Sequence, residues 1–167
     1  AMDACSKGQQ WQRCLNLLTE MFHSVLFPTT ISYNIAITAC EMGPWSLVLH
    51  LLDELRQQGL RPRTDTYNAA MSVCAKAHQT QMALQLMYSL RRRQLRQHQV
   101  TFNTAIDACA KTQQWQQSLA LLAEMSDAAL QPDVVSFSSA MTALSRQSLH
   151  KQAWGLLEDL PRHSLQP

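Results

Sequence analysis

The chain has 167 residues, of which 46 % are hydrophobic and 16 % are charged, and these proportions are typical of a folded protein rather than a disordered one. The formal net charge of +2 is too small to indicate a protein that binds nucleic acid by charge alone. Only four glycines are present, too few for the many positive-φ turns of a hairpin-rich β fold, so we expect helices.

No apolar stretch has the eighteen or more residues that a membrane-spanning helix needs, and no signal peptide is recognisable, so we expect no membrane partner. The chain opens inside a pattern that returns further along. Ala1–Thr29 aligns without gaps to Ala105–Asp133, with 16 identities in 29 positions. We therefore expect the chain to be a segment of a longer protein.

A pair formed by an aromatic and a small polar residue recurs at intervals of 34, 35 and 35 residues. The pairs are Tyr33-Asn34, Tyr67-Asn68, Phe102-Asn103 and Phe137-Ser138. This period predicts five units: residues 1–29, which lack their opening, 30–63, 64–98, 99–133, and 134–167, which lack their closing residue.

Each unit has the apolar spacing of two helices. In the fourth unit the first helix is indicated by Phe102, Ala105, Ile106 and Cys109, and the second by Trp115, Ser118, Leu119, Leu122 and Met125. Pro62 and Pro132 lie between units, where a proline does not interrupt a helix. A lone hairpin cannot bury its apolar face, so we predict one all-α solenoid of about ten stacked helices, with a concave surface.

The unit that opens "VTFNTAIDACAK" and closes "LQPD" resembles the pentatricopeptide repeat (PPR) consensus, as do "ISYNIAITAC", "DTYNAAMSVCAK" and "VVSFSSAMTAL". Tetratricopeptide units have a similar period and mostly bind proteins, whereas PPR units mostly bind single-stranded RNA. The resemblance is weaker in unit 30–63, which is one residue short around Gly43-Pro44, and in unit 64–98, which closes Gln97-His98 instead of Pro-Asp.

A second stripe on the first helix of unit 99–133 contains Val100, Asn103, Asp107 and Lys111, spaced by three, four and four residues. An asparagine amide both donates and accepts, which suits the edge of an unpaired base. The PPR resemblance implies that the residue after the aromatic and the residue closing the same unit jointly select one base.

Carried over to this chain, the base-selecting residues are Asn34 with Arg63, Asn68 with His98, Asn103 with Asp133, and Ser138, whose partner would lie beyond Pro167. Asn103 with Asp133 matches the pair associated with uracil. The resemblance thus implies the order pyrimidine, pyrimidine, uracil, purine from 5′ to 3′.

The resemblance also implies β-branched residues that wedge between bases, here Ile31, Val100 and Val135, with Asp65 departing from the pattern. It implies phosphate contacts from a row of cations, here Lys7, Lys76, Lys111 and Arg146, with Met42 interrupting the row. Plainer interpretations remain open, because Asp133 fits an N-cap and the cations fit helix C-termini.

Four cysteines, Cys5, Cys40, Cys74 and Cys109, recur at one position per unit, and we expect them to be reduced core residues because helix spacing exceeds the reach of a disulfide. The arginine-rich run at residues 89–98 is typical of a solvated helix end, and a second phosphate or partner contact is the alternative. No metal-ligand cluster or nucleophile–base pair is recognisable, so we predict no catalysis, cofactor, metal or small-molecule substrate.

The sequence therefore predicts a non-catalytic array that binds single-stranded RNA, about one base per unit. The family resemblance implies a mitochondrial or plastid protein that acts in RNA processing, stability, editing or translation, with other organellar RNA-processing or ribosomal proteins as further partners. The alternative is a scaffold that binds a protein, or that belongs to an organellar ribosome, without reading bases.

Overall fold

The computed structural model of the chain describes residues 10–24 and 26–149. This part of the chain forms eight α-helices and one short 3₁₀ helix and contains no strand, which confirms the predicted all-α fold. The helices are α1 (Trp11–His23), α2 (Thr30–Ala39), α3 (Trp45–Gln57), α4 (Thr64–Lys76), α5 (Thr80–Arg92), α6 (Gln99–Lys111), α7 (Trp115–Asp127) and α8 (Val134–Arg146). The other two of the expected helices fall outside the described residues.

Two classes of helix alternate along the chain. We call α2, α4, α6 and α8 the first helices, because they begin at residues 30, 64, 99 and 134, the first residues of the four later units. We call α1, α3, α5 and α7 the second helices. Three second helices begin at a tryptophan, namely Trp11, Trp45 and Trp115, and each tryptophan is partly buried.

The shortened unit 30–63 differs from the others at the end of its first helix. There α2 ends at Ala39 and continues as the 3₁₀ helix Cys40–Met42, whereas the other first helices run for 13 residues as α-helix. A 3₁₀ helix rises about 2.0 Å per residue and an α-helix about 1.5 Å, so three residues of the former span the length of four of the latter. The 3₁₀ segment therefore compensates for the missing residue.

Six helices, α3 to α8, end in the same way, with the residue after the C-cap at positive φ. After α3 this residue is Gly59 (φ 71°), and the N–H of the next residue, Leu60, donates to the carbonyl of Leu55 at 3.1 Å. This is a Schellman motif. The other five helices end on non-glycine residues at φ 56–61°, namely His78, Gln94, Gln113, Ala129 and Ser148.

The predicted apolar stripes form one continuous core. The aromatics Tyr33, Tyr67 and Phe102 are fully buried, and Phe137 is 4 % exposed. Cys40, Cys74 and Cys109 are buried free thiols, and burial raises the pKa of each to about 11. This confirms the predicted reduced core position of these three cysteines, whereas Cys5 lies outside the described residues.

The first helices stack directly on one another, α2 on α4, α4 on α6 and α6 on α8, whereas consecutive second helices make little backbone contact. Because the row of first helices is the more closely spaced layer, the array curves toward it. The face that the first helices present, which we call the first-helix surface, is therefore the concave one.

Candidate nucleic-acid interface

The first turns of the first helices expose large apolar side chains. Ile31, Val100 and Val135 are 67 %, 60 % and 54 % exposed, although isoleucine and valine are usually buried. In the helix between the first two, Asp65 has this position and forms an ion pair with Arg63 at 3.7 Å. The three predicted wedge residues are thus accessible on the first-helix surface.

Asn103 and Asp133, the predicted uracil-selecting pair, are in direct contact. Asn103 Nδ2 donates to both Asp133 carboxylate oxygens, at 3.1 and 3.2 Å. Asp133 is also the N-cap of α8 and accepts from the Ser136 backbone N–H at 2.8 Å. The structure therefore confirms the N-cap interpretation of Asp133 and places the same carboxylate against the Asn103 amide, while its role in base selection stays a prediction.

These hydrogen bonds set the ionisation of Asp133. Burial acts to raise the pKa of its carboxyl group, but donation from the backbone N–H and hydroxyl of Ser136 and from the Asn103 amide outweighs burial and lowers the pKa below its usual value. Asp133 is consequently a carboxylate at neutral pH, and it holds the Asn103 amide in place.

The three asparagines that follow the aromatics also contact the following unit. The hydroxyls of Thr66, Thr101 and Ser136 lie 2.5, 2.9 and 2.5 Å from the Oδ1 atoms of Asn34, Asn68 and Asn103, respectively. All three hydroxyl residues are fully buried. The amides are therefore fixed by contacts between units.

The other predicted base-selecting pairs do not form the contact seen at Asn103. Arg63 and His98 make no hydrogen bond to the amides of Asn34 and Asn68 among the described residues. Ser138 is exposed and donates to the carbonyl of Val135 at 3.1 Å. Only the pair of unit 99–133 is thus joined directly within the described part of the chain.

The three predicted phosphate-contacting cations that lie within the described residues all have protein partners. Lys76 is ion-paired with Glu41, and Lys111 with Asp107 at 2.6 Å. Arg146 Nη1 donates to the carbonyls of Ala110 and Lys111 at 3.2 and 3.1 Å, at the C-terminal end of α6. Lys76 and Lys111 keep 48 % and 31 % of their side chains exposed, and Lys7 lies outside the described residues.

A depression of about 230 Å³ on the first-helix surface brings several of these residues together. We call it the α4–α6–α8 depression, and its lining includes the amide of Asn103, the apolar side chain of Val135 and the cations Lys76 and Lys111. Three successive first helices therefore place an amide, an apolar side chain and two lysines around one space, which is large enough for a nucleobase.

A different surface carries the arginine-rich run. Arg92 and Arg93 line a second depression, of about 320 Å³, with Arg56 and Ser89 of the second helices. Arg91 is ion-paired with Glu124 of the next second helix. These arginines lie at the C-terminal end of α5, where the helix dipole favours cations.

Within residues 10–24 and 26–149 no group of His, Cys, Asp and Glu side chains is arranged to hold a metal ion. None of the described helices is long and apolar enough to cross a membrane.

The sequence interpretation missed the hydroxyl residues that hold the asparagine amides. A Ser or Thr directly precedes the aromatic in all four units, as Ser32, Thr66, Thr101 and Ser136. The signal was therefore present at the same period as the asparagines. It was obscured because a hydroxyl in a first helical turn is also explained as a local cap.

Three family models match the chain. A PPR repeat family model matches residues 97–146, a pentatricopeptide repeat domain model matches residues 43–77, and a further PPR repeat model matches residues 65–95. Together they cover more than half of the chain. No curated protein sequence matches it significantly.

Several solved structures have the same fold. The PPR domain of Arabidopsis thaliana protein-only RNase P 1, in complex with tRNA, matches with a TM-score of 0.82 at 13 % identity, over 99 % of this chain and 88 % of that one. The maize protein PPR10, in complex with an 18-nucleotide psaJ RNA element, matches with a TM-score of 0.78 at 21 % identity, over 99 % of this chain. Nuclear proteinaceous RNase P 2 of A. thaliana matches with a TM-score of 0.80 at 11 % identity, over 95 % of this chain. The chain spans 28 % of PPR10 and 36 % of the nuclear RNase P.

Proposed function

The chain belongs to the pentatricopeptide repeat family, and we propose that it binds single-stranded RNA along the first-helix surface, reading about one base per unit. The α4–α6–α8 depression supports this proposal most strongly, because it combines Asn103, Val135 and two lysines. Two of the similar solved structures were determined with RNA bound, one with tRNA and one with an 18-nucleotide element.

The chemistry of the depression suits an unpaired nucleotide. One N–H of the Asn103 amide is directed to Asp133, which leaves the second as a donor to the oxygen of a base edge. Val135 offers an apolar surface to the base plane, and Lys76 and Lys111 attract the phosphates on either side. The base opposite Asn103 is accordingly proposed to be uracil, within the order pyrimidine, pyrimidine, uracil, purine.

The test is fluorescence-anisotropy binding to four short RNAs that differ only at the nucleotide opposite Asn103. The wild-type chain should prefer uracil, and a hydrogen-bonded base contact contributes about 1–3 kcal/mol of discrimination. In the family that this chain belongs to, the residue after the aromatic selects the base, so Asn103→Thr should move the preference toward guanine. Circular dichroism checks that both proteins are equally helical.

Asn16→Thr is the matched control, since it makes the same substitution on the exposed side of the second helix α1. It should leave the base preference unchanged. Equal binding to all four RNAs by the folded wild-type chain would refute base reading at this unit.

The alternative is a scaffold that binds a protein surface without reading bases. It is favoured by Arg63, which pairs with Asp65 instead of Asn34, and by Arg146, which holds backbone carbonyls of α6. A scaffold should bind double- and single-stranded RNA equally weakly, and Asn103→Thr should have no effect on either.

We further propose that this segment is non-catalytic and acts in a mitochondrion or plastid, in RNA processing, stability, editing or translation. Family membership supports the compartment, although one similar structure is described as a nuclear protein. An antibody raised against the chain would locate the natural protein by microscopy and cell fractionation. Incubating the chain with labelled RNA and Mg²⁺ should yield no cleavage.

A further inference from the structure

We propose that Thr66 and Thr101 are specificity-determining positioning residues, each of which orients the base-selecting amide of the preceding unit. This inference rests on the proposed function, because it concerns how the asparagines Asn34 and Asn68 are presented to RNA. Each threonine belongs to one unit, and the base whose selection it affects is bound by the unit before it. Selection by one unit would thus depend on its neighbour.

The geometry leaves each threonine hydroxyl one place to donate. The hydroxyl of Thr66 accepts from the backbone N–H of Arg63 at 3.1 Å, and that of Thr101 accepts from the N–H of His98 at 3.3 Å. The single proton of each threonine hydroxyl is then directed to the amide oxygen of the preceding unit. The Oγ1–Oδ1 distance is 2.5 Å from Thr66 to Asn34 and 2.9 Å from Thr101 to Asn68. Both threonines are fully buried, so water does not replace either contact.

This contact decides which end of the amide is free. Because Oδ1 is held by the threonine, Nδ2 is the end left available, and it makes no hydrogen bond among the described residues at Asn34 or Asn68. The amide therefore offers donors, which match the acceptor oxygens of a base edge. Without the hydroxyl, the amide would turn over and offer its oxygen equally well, so discrimination between bases would fall.

The Ser136–Asn103 contact is less suitable for a test. The Ser136 hydroxyl also lies 2.8 Å from an Asp133 carboxylate oxygen, so its proton has two acceptors, and Asp133 itself orients the Asn103 amide. The two threonines each act on an asparagine that has no such second support.

The experiment compares Thr66→Val with Thr101→Val in the full chain. Valine has nearly the shape of threonine, and both substitutions remove an equivalent acceptor from a helix N-cap, so their structural effects should match. Binding is measured by fluorescence anisotropy to RNAs varied at the base opposite Asn34 or at the base opposite Asn68. We expect Thr66→Val to reduce the ratio between best and worst base about three- to tenfold opposite Asn34 only, and Thr101→Val to do so opposite Asn68 only.

Thr66→Ser keeps the hydroxyl and should retain the wild-type preference. The positioning role would be overturned if either variant reduced base discrimination equally opposite Asn34 and opposite Asn68. It would also be overturned if neither variant reduced discrimination at its own position. In both cases RNA binding by the chain would still stand. A folded wild-type chain with no base preference at either position would instead overturn the proposed function, and with it this inference.

A measurement without RNA complements the binding assay. In ¹⁵N-labelled protein, the side-chain amide signals of Asn34 should shift in Thr66→Val and stay in place in Thr101→Val. Unchanged Asn34 signals in Thr66→Val would show that the hydroxyl does not hold the amide, and would overturn the inference independently of RNA.

Discussion

Asp133 shows how one residue serves both folding and the proposed recognition of RNA. Its carboxylate caps α8 through the Ser136 N–H and also holds the amide of Asn103. These hydrogen bonds lower its pKa despite its burial. The residue that closes one unit therefore stabilises the next, and this explains why an acidic residue fits a position between two helices.

The lowered pKa predicts a pH dependence of stability. A depressed pKa in the folded state contributes stability above the unfolded-state value, about 3.9, and this contribution is lost as the pH falls through the folded-state value. Asp133→Asn keeps an N-cap but lacks the charge, so the wild type should be more stable than the variant by about 1 kcal/mol at pH 6. The difference should be smaller at pH 2, because the carboxylate is progressively protonated as the pH falls below about 3.9.

Urea unfolding followed by circular dichroism at both pH values measures this difference. Asp127→Asn, at the exposed C-terminal end of α7, is the matched control. A wild-type advantage over Asp133→Asn that persists unchanged at pH 2 would show that the carboxylate charge is not what stabilises α8.

At the scale of helices, the backbone conformation at the C-terminal ends is more regular than the residues found there. Six consecutive helices end with a residue in the left-handed conformation, yet only the first of these residues, Gly59, is a glycine. After the second helices the Schellman motif brings Leu60, Leu95 and Leu130 against the core. The apolar contact that follows the turn thus supports the conformation where glycine is absent.

Gly59 and Ala129 end equivalent second helices and form a matched pair for a test. Gly59→Ala should lower the free energy of unfolding by about 1 kcal/mol, because a left-handed conformation is costly for a residue with a Cβ atom. A Cβ atom at Gly59 would meet no atom within 4 Å, so the effect comes from the backbone alone. Ala129→Gly should raise stability by a similar amount.

Thermal and urea unfolding measure both variants. If the two substitutions change stability in the same direction, the conformation after the helix is not the cause. The interpretation of the six helix ends as equivalent motifs would then be wrong.

At the scale of the whole molecule, a net charge of +2 must be distributed unevenly if it is to favour RNA. On the first-helix surface Lys76 and Lys111 line one depression, whereas Arg92 and Arg93 lie on the second helices. The proposed function requires the first of these two groups to contact the strand.

The salt dependence of binding distinguishes the two surfaces. Lys111→Gln should weaken RNA binding uniformly across sequences and reduce the slope of log K against log salt by about 0.7, the value expected for one phosphate contact on a single strand. Arg92→Gln should leave the slope unchanged. The opposite result, measured by anisotropy at several salt concentrations, would place the strand along the second helices.

The fold was predictable from the sequence because the same residue pattern recurs at intervals of 34 or 35 residues along the chain. The period of the aromatic pairs predicted helical hairpins, and the apolar spacing of Phe102, Ala105 and Ile106 identified residues that are fully buried. The candidate site was only partly predictable. Asn103 and Asp133 are 30 residues apart, and their hydrogen bond depends on the angle between successive hairpins, which a repeat period does not specify.

The sequence by itself determined the all-α repeat architecture, because helical periodicity and the apolar stripes are local properties that recur in each unit. Only the tertiary structure decided which end of each asparagine amide is free and which cations lie near it. Those outcomes depend on contacts such as Thr66 to Asn34 and Lys76 to Glu41, where two side chains more than thirty residues apart meet because neighbouring units stack.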